Sequence, residues 1–85
     1  MIEVIVKLVP FGDHSREREI GHIEIANVDE DHRSWPAYSY QAWVNDFGVR
    51  REGSGEVKHH RSLNVFYLVG VAIEDFVRKL MLSDV

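Results

Sequence analysis

The residues best placed to do chemistry are histidines, acids and a short basic strip. His59-His60 is the most conspicuous pair. Side chains that follow one another on a strand point to opposite faces, so one ion cannot take both imidazoles. They read as exposed histidines of an edge strand. His14, His22 and His32 belong to other segments, and their spacing does not require them to converge. Asp29-Glu30-Asp31-His32 lacks the alternating acids, central glycine and distal glutamate of a calcium loop, so it reads as a solvated acidic loop. No nucleophile elbow and no phosphate-binding glycine loop is present. The chain has no cysteine, which removes disulfides, thiolate catalysis and Cys-ligated zinc. The expectation is therefore a non-enzymatic protein with no cofactor, no metal and no catalytic residue.

The basic strip is the first candidate binding site. The chain carries 10 Lys and Arg against 14 Asp and Glu, a formal charge of −4, which disfavours bulk binding to phosphate backbones. Residues 49–61 nevertheless hold four bases and two acids. Arg50, Arg51, Lys58 and Arg61 lie on either side of Gly53-Ser54-Gly55. If those glycines form a hairpin tip, the bases gather and could meet an anion. Trp43, Tyr38 and Tyr40 would offer stacking surfaces to a nucleic acid, which is a possible but secondary partner.

These residues must be held by a scaffold of 85 residues, enough for one domain, 1–85, with a modest core. Residues 1–9 alternate as a strand: Ile2, Val4, Val6 and Leu8 on one face, Glu3, Ile5, Lys7 and Val9 on the other. Pro10 closes it, and Phe11 to Ser15 form a turn in which Gly12 takes a positive φ. Residues 16–28 form a second strand, antiparallel to the first. Ile23 and Ile25 share one face, His22 and Glu24 the other. Ile20 has the wrong parity for the apolar set, and Gly21 marks a bulge that restores the phase. After a polar loop, 37–46 is a third strand with Tyr38, Tyr40, Ala42 and Val44 on one face. Asp46-Phe47-Gly48 is a turn, and 56–61 is a short edge strand.

The C-terminal segment, about 64–82, reads as a helix capped by Ser62 or Asn64. Phe66, Val69, Gly70, Ile73, Val77 and Leu80 form an apolar stripe at helical spacing, widened by Leu68, Ala72 and Phe76. The fold class is α+β: a three- or four-stranded antiparallel meander with one C-terminal helix packed on one face. The start of the helix, 65–73, is apolar all the way round. Tyr67, Leu68 and Val71 are expected to point away from the sheet and to form an interface, most simply with a second copy of the chain. A protein-interaction module, homodimeric, is thus the leading functional expectation, with anion or nucleic-acid binding as the alternative. The longest apolar run is short of a membrane span, and the N-terminal ten residues lack a basic leader, so a cytoplasmic protein without membrane contact is expected.

The segments Met1-Ile2-Glu3-Val4, Pro10-Phe11-Gly12-Asp13 and Ile20-Gly21 through Ile23-Glu24-Ile25-Ala26-Asn27 resemble a group of small uncharacterised proteins of bacterial and phage genomes. The group is similar in length and ends in a comparable helix. The resemblance implies a phage or mobile-element origin and brings no activity or catalytic residue with it. Where that group has a Gly/Thr-rich turn, this chain has Val28-Asp29-Glu30-Asp31.

Overall fold

The computed structural model describes residues 1–27, 36–58 and 64–83. Four strands, β1 (Ile2–Leu8), β2 (Arg18–Asn27), β3 (Ala37–Asp46) and β4 (Val49–Lys58), are followed by one helix, α1 (Val65–Ser83). The strands form one antiparallel sheet in the order β1-β2-β3-β4, with the helix against one face. This is the α+β meander that the alternation predicts, with four strands rather than three.

The register explains how one face becomes a core. Ile2 pairs with Ile25 and Val4 with Ile23, while Ile23 and Ile25 pair in turn with Ala42 and Tyr40. Residues two apart share a face, so these rows stack β-branched and aromatic side chains on one surface. Ile25, Tyr40 and Ile23 are buried there together with Ala42 and Val57. The pairing shifts after Val6↔Gly21 to Lys7↔Glu19, leaving Ile20 as the extra residue of a bulge. That is the phase correction expected beside Gly21.

The β1–β2 connection holds two short 3₁₀ turns, Pro10–Gly12 and His14–Arg16, so β2 begins two residues later than its alternating charges suggest. Asp13 holds the second turn, accepting a hydrogen bond from the Ser15 amide at 3.0 Å. Gly12 takes φ +73°, as expected. The β3–β4 turn is Phe47-Gly48, with φ 51° and 85°. Two positive φ values in a two-residue loop make a type I′ hairpin, whose twist matches the strands it joins. The Asn45 carboxamide accepts from the Gly48 amide at 3.0 Å.

Two expectations need correcting. The fourth strand is Val49–Lys58 rather than 56–61, and Gly53-Ser54-Gly55 lies inside it, paired with Ala42, Gln41 and Tyr40. The glycines are not a tip but the seat of the helix. A Cβ at Gly53 would come within 3.0 Å of the Phe76 ring, and one at Gly55 would stand 2.8 Å from both the Asp75 carboxylate and the Tyr40 hydroxyl. Glycine in a strand often marks such close approach. The helix is also rotated from the expected stripe. Leu68, Ala72 and Phe76 form its buried line, while Phe66, Ile73 and Val77 stay exposed. Asn64 caps it, its side chain accepting from the Tyr67 amide at 3.0 Å; Ser62 lies outside the described residues.

One polar cluster fastens the helix to the sheet. The buried Tyr40 hydroxyl donates to Asp75 Oδ2 at 2.6 Å. Lys79 Nζ lies 3.2 Å from the same oxygen and donates to the Ser54 carbonyl at 3.1 Å. The Tyr40 hydrogen bond, opposed by burial and helped by Lys79, holds the Asp75 carboxyl below its ordinary value. Burial and the neighbouring carboxylate push the Tyr40 phenol far above its own. A depressed carboxyl contributes stability above its unfolded value, near pH 3.9, and loses it as pH falls through the folded value. Urea melts between pH 5 and pH 2 are therefore expected to fall more steeply for the wild type than for Asp75→Asn, by roughly 1 kcal/mol. Parallel curves would remove Asp75 from the acid response.

Candidate functional site

The helix does not sit centrally. It packs chiefly on β4 and reaches β2 only slightly. Four strands about 4.8 Å apart span about 15 Å between edges, and a helix with its side chains covers about 10 Å. A helix over the β4 side therefore leaves β1 uncovered, although Ile23 and Ile25 of β2 are still buried beneath it. There the apolar face forms a groove of about 140 Å³, floored by Val4, Val6, Ile23 and Val44 and walled by Ile73, Val77 and Leu80. Val6, on the core parity of β1, is 47% exposed, and Ile73 and Val77 are 38% and 45% exposed.

The apolar arc of α1 continues past its buried line. Phe66, Gly70, Ile73, Val77 and Met81 follow one another at helical spacing on the groove side, and none of them is in the core. This is most of the stripe that the periodicity picks out, turned toward the groove instead of the sheet. Of the three residues expected at an interface, Tyr67 is exposed. Leu68 is not: it is 2% exposed and part of the core, a correction that follows from the rotation of the helix. Val71 is partly buried against the core.

The opposite face of the sheet is polar. His22, Glu24, Gln41, Trp43, Arg50, Glu52 and Ser54 border a shallow concavity of about 500 Å³. Arg50 lies over the Trp43 ring at 4.4 Å and donates to Glu52 at 2.7 Å. At one side of this face, Glu3, His22 and Glu24 bring three ligating atoms within 4.8 Å of one another. Only the pairing of β1 with β2 reveals that trio, because Glu3 is far from His22 in sequence. The shared parity of His22 and Glu24 was the legible part.

The structure does not gather the basic strip. Arg50 and Arg51 are neighbours in one strand and face opposite sides of the sheet. Arg51 donates to the Leu80 carbonyl at 3.0 Å and stands 3.6 Å from Asp46. Lys58 is exposed at the far end of the same strand. Arg61, His59, His60 and the 29–32 acidic loop lie outside the described residues. Tyr38 and Tyr40 are on the helix-covered face, so Trp43 alone of the three aromatics remains on the polar one.

The fold and these two faces define an α+β domain, a four-stranded meander under a single offset helix. No family model, curated protein or solved structure matches the chain. Among the described residues no helix is long and apolar enough to cross a membrane.

Proposed function

We propose that this protein is a non-enzymatic interaction module whose primary partner is a second copy of itself. The observation that carries this reading is the groove left open beside α1. Its floor needs a helix with an apolar stripe, and its wall is a helix whose spare stripe needs a sheet. A second copy related by a two-fold axis supplies both at once, because each α1 can lie beside its mate over the mate's β1 surface. Such reciprocity is the condition for an isologous interface.

The resemblance of the N-terminal segments to bacterial and phage proteins belongs to the same reading and adds no catalytic role.

Light scattering at micromolar concentration is expected to give twice the 9.9 kDa chain mass. Ile73→Glu places a charge in the apolar contact but outside the core, so it is expected to weaken association at least about a hundredfold with little change in circular dichroism. A monomeric wild type at high micromolar concentration would end the proposal. A variant that dimerises unchanged would move the interface away from the groove.

A further inference from the structure

The open polar face carries a second feature, independent of the groove on the other side. Glu3 on β1 stands directly opposite Glu24 on β2. Like charges in directly opposed positions destabilise a sheet. Among the described residues neither carboxylate is paired with a lysine or arginine; both lie near the His22 imidazole, which pairs with them as an ion only when protonated. Its Nε2 lies 3.6 Å from Glu3 Oε2 and 3.8 Å from Glu24 Oε1.

Those separations exceed the 2.7–3.2 Å of an N–H···O hydrogen bond. They lie close to the spacing of two ligands on one ion. Bonds of about 2.0–2.1 Å in a tetrahedral arrangement put neighbouring donor atoms about 3.3 Å apart. The three atoms are within 4.8 Å of one another, so a rotation of the exposed Glu3 side chain that brings the two carboxylates up to about 1.5 Å nearer would close the set. From these distances and the uncompensated like-charge pair, we infer that Glu3, His22 and Glu24 form a binding site for a divalent first-row transition ion, with zinc as the best match.

The donor set selects the ion. An imidazole nitrogen suits zinc and its neighbours better than magnesium or calcium, which prefer oxygen alone. Two carboxylates and a neutral imidazole balance a double positive charge. Three protein ligands leave a fourth position for water or an added ligand. Two adjacent strands hold the ligands: His22 and Glu24 share a face by their spacing of two, and the register of β1 brings Glu3 across from them.

The test is calorimetric titration of the full chain with zinc chloride near pH 7.5, repeated on His22→Ala, Glu3→Gln and His14→Ala. One ion per chain at micromolar affinity is expected for the wild type and for His14→Ala, whose imidazole is in a different segment. Losing an outer-shell partner alone weakens metal sites 10–100-fold, so loss of His22 is expected to cost at least about a hundredfold. Glu3 is exposed on an edge strand, so Glu3→Gln keeps the test valid if His22→Ala fails to fold. Zinc is also expected to raise the melting temperature of the wild type and not of Glu3→Gln. No binding by the wild type, or binding unchanged in both site variants, would overturn the site; the second result would place the ion on other histidines.

Discussion

Gly55→Ala is expected to destabilise the protein by roughly 3 kcal/mol, although the same change in an open strand is stabilising. Alanine loses less backbone entropy than glycine on folding, which ordinarily favours it by about 0.5–1 kcal/mol. At Gly55 the new methyl would meet Asp75 Oδ2 and the Tyr40 hydroxyl at 2.8 Å, and the Lys79 ammonium more closely still. The ends of the Lys79 and Asp75 side chains can swing aside, but the buried Tyr40 ring cannot follow, so the Tyr40–Asp75 hydrogen bond is given up. Overpacking costs about 1–3 kcal/mol, and a lost hydrogen bond to a charged group about 1.5–3. A domain of this length has a total stability of order 5–10 kcal/mol, so the variant should be partly unfolded at moderate temperature. Gly53→Ala is the natural comparison. Its methyl meets only the Phe76 ring edge, at 3.0 Å, and a smaller loss is expected. Urea melts followed by tryptophan fluorescence measure both. A Gly55→Ala protein as stable as the wild type would mean that the helix does not sit on β4 as described.

Phe76→Ala is expected to cost about 3–5 kcal/mol, the largest effect of any truncation in the helix. The ring is 6% exposed, lies over Gly53, and meets Tyr40 edge-on with centroids 6.4 Å apart. With Leu68 and Ala72 it makes up the buried line by which α1 is attached. A 19-residue helix detached from its sheet is marginal in water, so helical circular dichroism should fall together with the tertiary signal. Phe66→Ala provides the contrast. Phe66 is 82% exposed, and at submicromolar concentration its removal should change stability by less than about 0.5 kcal/mol. Equal losses at the two positions would mean that the helix presents the other stripe to the sheet.

These two comparisons fall where the amino-acid pattern and the tertiary structure part. The alternation of Ile2, Val4 and Val6, and of Tyr38, Tyr40 and Ala42, sufficed to define strands and the faces they present, because the two-residue period of a strand is local. The misfit of Ile20 beside Gly21 located the bulge for the same reason. Spacing placed the helix within a residue at each end, and Asn64 was identifiable as a cap because capping involves only the first turn. The helix rotation was not legible. Apolar residues occupy more than half of its circumference, so the stripe through Phe66, Ile73 and Val77 and the line through Leu68, Ala72 and Phe76 satisfy the period equally well. Only the sheet chooses, since Gly53 and Gly55 open a seat that Phe76, Asp75 and Lys79 fill. Local propensity made the same glycines look like a turn, because the close approach that requires them comes from residues about twenty positions away. Strand pairing likewise brought Glu3 to His22 and Glu24. The residue pattern alone determined the elements and their faces, through short periods. Tertiary structure decided the helix's rotation and offset, and with them the open groove and the Glu3–His22–Glu24 cluster, because packing and register join residues that no local period connects.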